Sequence, residues 1–193
     1  ALLMSFISIY APMISQFHSE KNLIKMNNTY KMVSRWLLLF SIPIAIIFII
    51  FPGNILSLFG KEYIASADVL IILTIATLLQ AVSGAASPTL GMSGFTRVVL
   101  FNTLFAFILN FGLNYNLIPN YGINGAAYAT LITLIIIGSV RTIQVHFLLK
   151  MNFFSFKLLK PLVSGIATYY AIIGLKPFLS NFNFLVELLI ALP

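Results

Sequence analysis

The sequence contains no cysteine, which removes any disulfide framework and any thiolate metal site. Acidic residues are almost as scarce: four in 193 residues, with all charged types together making up 8%. A soluble domain carries roughly 25%, and so few charges cannot cover a surface that faces water. Two of the acids, Glu62 and Asp68, stand close together, which leaves little for general acid–base catalysis. HExxH, paired-carboxylate, Ser/His/Asp and GxxxxGK[ST] patterns are all missing, as is any cluster with metal-ligand spacing. No long polar loop exists to hold an active site outside a membrane. These absences argue against an enzyme, against an ATP-driven pump within this stretch, and against a resident metal or cofactor.

What fills the chain instead is Leu, Ile and Phe, and 60% of the residues are hydrophobic. Several apolar runs approach the ~20 residues that cross a bilayer as a helix. The expected class is all-α, a polytopic transmembrane helix bundle. Residues 1–17 read as the tail of one span, and 32–51 as a complete span with a kink at Pro43. Residues 64–86 form the next, ended by Ser87-Pro88. Residues 98–118 span again, stopped by Pro119, and 122–148 follow after a short turn at Gly122. Residues 161–180 span less cleanly, and 183–193 begin a last helix. The expectation is about five complete spans and two truncated ones, in a single bundle over residues 1–193. The chain begins at Ala1 inside one apolar run and stops at Pro193 inside another, so it reads as a fragment of a longer protein.

The net charge of +7 has a membrane explanation rather than a nucleic-acid one, because no soluble basic face interleaved with aromatics accompanies it. Cytoplasmic connectors concentrate Lys and Arg. One set of alternate connectors and their flanks holds Lys21, Lys25, Lys31, Arg35, Arg97, Arg141, Lys150, Lys157 and Lys160; the other holds only Lys61 and Lys176. This alternation places the connectors around 18–31, 91–97 and 150–160 in the cytoplasm.

Polar residues inside the spans fall on stripes. Gly122, Gly125, Ala126, Ala129, Thr130 and Thr133 recur at helical spacing and read as a close helix–helix seam. Thr103, Asn110 and Asn114 lie within about 40° of one another on the preceding span at ~100° per residue. Thr77, Gln80, Gly84 and Ser87 make a similar face on the span before that. An amide facing lipid lacks partners, so these stripes either bond neighbouring helices or line a hydrated lumen. Arg97 and Arg141 either snorkel to the interface or meet an anionic cargo. Glu187 is an ionisable group in the last apolar run, where proton coupling is an option, and His18 and His146 sit near cytoplasmic boundaries.

Read in order, IYAPMISQF, a basic connector, FPGNILSLFGKEYIASADVLIIL, SPTLGMSGFTR and NFGLNYNLIPNYGINGAAYAT resemble the C-terminal half of polysaccharide-biosynthesis flippases. These belong to the multidrug/oligosaccharidyl-lipid/polysaccharide exporter superfamily. In that family the last piece is N-x3-N followed by a lip-x-x-G-x-x-G-A-A-x-A-T element. Here Asn110, Asn114, Pro119, Gly122, Gly125, Ala126, Ala127, Ala129 and Thr130 fill it.

The resemblance covers nearly the whole chain. It implies a transporter of two pseudo-symmetric bundles alternating between inward- and outward-open forms, in a bacterial or archaeal cytoplasmic membrane. The implied cargo is an undecaprenyl-linked oligosaccharide for O-antigen, lipopolysaccharide or capsule. The implied partners are membrane lipids and the missing N-terminal half. Thr77, Gln80, Arg97, Thr103, Asn110, Asn114 and Arg141 would line the pathway, with Arg97 and Arg141 toward the pyrophosphate. The rivals are a cation-coupled multidrug exporter of the same superfamily, a membrane-embedded glycan polymerase or acyltransferase, and a helix bundle that transports nothing. The first would more often carry a buried carboxylate. The second would need catalytic residues in sizeable outer loops.

Overall fold

The computed structural model describes residues 2–151 together with residues 165, 168, 170 and 174, and every regular element among them is helical. The order is α1 (Leu2–Ser19), α2 (Leu23–Ile50), α3 (Pro52–Ser57), a 3-10 turn (Lys61–Ser66), α4 (Ala67–Ser83), α5 (Ala86–Met92) and α6 (Thr96–Leu149). Among the described residues, three stretches are long and apolar enough to cross a membrane: Leu23–Ile50, Lys61–Ala81 and Thr96–Leu149. The last is two helices in one, because the chain doubles back at Gly122; its arms cover 96–121 and 123–149. The expected spans at 161–180 and 183–193 lie outside the described residues.

Local chemistry accounts for the boundaries. Asn22 caps α2 by accepting the Lys25 N–H at 3.1 Å, and Lys21 just before it takes a left-handed φ of 53° to make the tight exit from α1. At 28 residues α2 is about 42 Å long, more than a hydrocarbon core of about 30 Å, so its basic first turns stand clear of it. Helix α2 thus begins inside what the composition marks as a polar connector. It also passes Pro43 without ending.

Two expected boundaries move. The span at 64–86 does not end at Ser87-Pro88. It breaks earlier, at Gly84-Ala85, and resumes as α5 through Met92. Pro88 lies in the first turn of α5, where a backbone N–H has no intrahelical partner to lose. The reversal falls at Ser93-Gly94, where Gly94 takes a φ of 87°. Likewise Pro119 does not stop the first arm, which runs through it. The carbonyl it leaves free is four residues back, at exposed Tyr115, where an outside partner can reach it. The chain turns instead at Gly122, with φ 56° and ψ −135°, a conformation open to glycine and strained for any residue with a Cβ.

Packing orders the helices into a layer. Leu37 of α2 meets the end of α4, where a Cβ on Gly84 would lie 3.2 Å from Leu37 Cδ1. Ser83 of α4 meets Gly138 on the second arm, 2.6 Å from where a Cβ would sit. A Cβ on Gly125 would collide with the Leu117 carbonyl of the first arm. The row is therefore α2, α4, second arm, first arm, with α1 resting on α2 and α5. Its basic end holds the larger core, built from Tyr10, Ile14, Met26, Leu37, Leu90 and Val145 with their neighbours; a smaller core of Leu38, Ile42 and Ile46 lies toward the other end.

The hairpin makes a prediction. Gly125→Ala should lower the stability of the detergent-purified chain by about 1–3 kcal/mol, through overpacking against Leu117, read as a lower unfolding midpoint. Gly112→Ala, on the same helix pair but with nothing within 4 Å of its Cβ position, should not lower the midpoint and should raise it slightly, since alanine favours a helix interior over glycine.

Candidate functional site: one polar face of the helix layer

The seam between the two arms of α6 is held by amides. Asn102 Nδ2 donates to Gln144 Oε1 at 2.5 Å, and Gln144 Nε2 returns a bond to Asn102 Oδ1 at 3.0 Å. Toward the hairpin tip, Asn110 Nδ2 donates to Thr133 Oγ1 at 3.3 Å, while Asn114 Nδ2 donates to both the carbonyl and Oδ1 of Asn110 at 2.8 Å. Part of the Thr103/Asn110/Asn114 stripe is thus bonded within the protein. Thr103 is exposed, its hydroxyl turned back to the Val99 carbonyl at 2.9 Å.

The small-residue seam divides in the same way. Gly125, Ala129 and Thr133 are buried, whereas Gly122 is the exposed hinge and not a seam residue. Ala126 and Thr130 are half-buried, and Thr130 bonds its own helix at the Ala126 carbonyl. Asn102 and Gln144 went unremarked in the sequence. Their signal is their nearly equal distance along the chain from Gly122, which becomes readable only once Gly122 is known as the hinge.

Each inner helix of a row has two partnered sides and two open ones. On α4, Ser83 and buried Ala76 turn toward the second arm, while Gly84, Ala81 and Thr74 lie on the side of α2. At 100° per residue, Thr77 and Gln80 then fall on one open side and Ile75 and Leu79 on the other; all four are exposed. On the second arm, Gly125, Thr133 and Gln144 meet the first arm and Gly138 meets α4. By the same rotation, Arg141 and Thr130 share one open side, and exposed Ile132, Ile135 and Ile143 take the other.

Helix α4 and the second arm run in the same direction, being separated by two reversals, and the first arm runs the opposite way. Following each helix in its own sense puts Thr77, Gln80, Thr130, Arg141, Thr103 and Asn114 on a single side of the layer. The other side carries only apolar groups over the same span of α4 and most of it on the second arm. Arg97 is exposed in the first turn of α6 but falls at the free edge of the first arm, away from this face.

Arg141 is the electrostatic feature of the face. It is half-buried, and its Nε is shielded from solvent without a hydrogen-bond partner. Among the described residues no carboxylate accompanies it. Glu20 accepts from Gln16 Nε2 at 2.9 Å at the end of α1, and Glu62 and Asp68 lie at the far end of α4. Gln80 has an exposed amide with no bond to the protein, near the C-terminal end of its span. Of the histidines, His18 is exposed and His146 Nδ1 lies 3.3 Å from the Met151 carbonyl; no set of three metal-ligating side chains occurs among the described residues. Glu187 lies outside the described residues.

A family model described as MatE matches residues 1–116, which covers α1 through most of the first arm. No curated protein and no solved structure matches the chain significantly.

The reciprocal amide pair can be tested by itself. Asn102→Leu leaves the Gln144 amide buried without its partner and should destabilise the purified chain by about 1–3 kcal/mol. Combining it with Gln144→Leu should recover most of that loss, measured as thermal unfolding midpoints across the double-mutant cycle.

Proposed function

Because the chain belongs to the MatE family, membrane exporters of the multidrug/oligosaccharidyl-lipid/polysaccharide superfamily, we propose that it carries a lipid-linked oligosaccharide. On this reading the polar face of the layer is one wall of the pathway, and a second bundle from the rest of the protein forms the opposite wall. The sugar head travels along Thr77, Gln80, Thr103 and Asn114, and the polyprenyl tail stays in lipid. Alternating access moves the head from the cytoplasmic to the outer leaflet of a bacterial or archaeal cytoplasmic membrane.

The observation that carries the proposal is the charge of the face: one guanidinium and, among the described residues, no carboxylate. A half-buried cation whose Nε is sealed from solvent without a partner is costly in an apolar medium, and a phosphate is the group that relieves it with charge-assisted bonds. A cationic drug would meet like charge here, which weighs against the multidrug reading. Hydroxyl-rich sugars suit Gln80 and Thr77, which offer donors and acceptors without charge.

The test is movement of a fluorescent polyprenyl-diphosphate oligosaccharide by the full-length transporter in vesicles. Arg141→Ala should slow it at least about tenfold, the scale of one charge-assisted hydrogen bond, and Arg141→Lys should restore part of the rate. Arg97→Ala, at the free edge, should have less effect than Arg141→Ala. Unchanged movement in Arg141→Ala at normal protein levels would remove the anion contact. Export of a cationic dye with no movement of the glycan would replace this cargo with the rival one.

A further inference from the structure

The buried polar atoms without a partner are not scattered. Asn27 Oδ1, Ser34 Oγ, Ser93 Oγ and Arg141 Nε all lie in the half of the bundle toward the basic end. Ser34 is 0% exposed and Ser93 4%. Helical spacing puts Asn27 and Ser34 on one face of α2, and Thr89 and Ser93, a turn apart, are both buried on α5 and its end. Each such group forfeits its bond to water without replacement. A permanent, dry helix contact would be expected to satisfy or avoid them. A contact that opens to water satisfies them in its other state.

One bond crosses this region. Tyr10 of α1 and Thr89 of α5 are both buried, with their hydroxyl oxygens 2.5 Å apart. The Thr89 proton is directed at the Ala85 carbonyl, also at 2.5 Å, so Tyr10 must be the donor to Thr89. The result is a relay from α1 through Thr89 to the break between α4 and α5. Beyond that break the two sides differ. Above it, α4 is locked by backbone-close contacts at Gly84 and Gly138. Below it, short α5 meets α1 through this hydroxyl pair and the apolar packing of Tyr10 and Ile14 with Ala86 and Leu90, and Ser93 at its end is left unsatisfied.

We propose that the seam of α1 with α2 and with α5 is the gate at the basic end of the pathway, seen here closed and latched by Tyr10 on Thr89. The unpartnered Ser34 and Ser93 bias it toward opening, and the latch opposes them. Opening swings α1 away from α5 about the Gly84-Ala85 break and hydrates both serines. The inference concerns access, not cargo, and holds whichever molecule is exported.

These 193 residues contain no cysteine, so a full-length transporter with any cysteine elsewhere replaced is a clean background for single-cysteine labelling. Ser34→Cys, Ser93→Cys and Ala45→Cys, the last buried in the outer half of α2, are each placed in the full-length transporter. They are exposed to a membrane-impermeant maleimide from the basic side. Adding Tyr10→Phe should speed labelling at Ser34→Cys and Ser93→Cys about fivefold, the shift that loss of one ordinary hydrogen bond produces, and leave Ala45→Cys unchanged. Thr89→Val should do the same, and the two together no more than either alone. Equal rates with and without Tyr10→Phe at both serine positions would overturn the gate. Equal acceleration at all three positions would also overturn it, because it would mean general loosening.

Discussion

A hydrogen-bonding group in an apolar medium must find its partner inside the protein or in water that the protein admits. Nearly every polar placement here follows from that constraint. Thr74, Thr77, Thr130, Thr133, Ser139 and Thr142 turn their hydroxyls back to carbonyls of their own helix. Such bonds satisfy the donor but hold no two helices together. The asparagines and glutamine of α6 have longer reach and more groups to satisfy. Asn102, Asn110 and Gln144 join the arms, most fully at Asn102 and Gln144, where both amides are used in both directions, while Asn116 and Asn120 turn back to their own helix. Of the groups that find no partner in the protein, Gln80 and Arg141 lie on the same side of the layer.

Amide bonding across the arms depends on backbone distance. Asparagine is short, and it reaches Thr133 only because Gly125 lets the two backbones approach near the hairpin tip. The glycine at 122 sets the direction of return, the one at 125 the separation, and the amides then fix the register. Lipid supplies no hydrophobic drive for this association, so close packing and a few interhelical bonds have to provide it. The arms therefore form the stiff part of the layer. By contrast α5 is short, begins at a break, and meets α1 through the Tyr10–Thr89 hydroxyl pair and apolar packing around Ile14 and Leu90.

How much of this was legible beforehand depended on whether the signal was local. Apolar runs and their alternating charge marked where the helices lie, and the spacing of Gly125, Ala129 and Thr133 marked a seam that is indeed buried. Proline misled twice. Pro88 and Pro119 read as stops, but Pro88 falls in a helix's first turn, where no N–H is needed, and Pro119 frees only the carbonyl of exposed Tyr115 near the end of its arm. The glycines beside them, Gly84 and Gly122, mark the real breaks. The stripes at 77–87 and 103–114 were visible as stripes. Whether each bonds a neighbour or stands open is a property of the row of helices, which no single helix encodes. Asn102 with Gln144 and Tyr10 with Thr89 are contacts between residues 42 and 79 positions apart, beyond the reach of any periodicity.

The sidedness of the layer carries a mechanistic consequence. A helix bundle made only to sit in lipid would present apolar groups on both open sides of α4 and the second arm. Here one side is apolar and the other holds an unbonded amide and an unpaired guanidinium. That asymmetry is stable only if something polar covers the second side, at least part of the time. A cover that never left would be expected to bond Gln80 and neutralise Arg141 for good. A cover that exchanges between protein, water and cargo meets both groups in turn. The same reasoning applies at the basic end, where Ser34 and Ser93 are left unsatisfied. In both places a static structure leaves polar groups unsatisfied where a moving one would satisfy them, and both lie between helices that alternating access would separate.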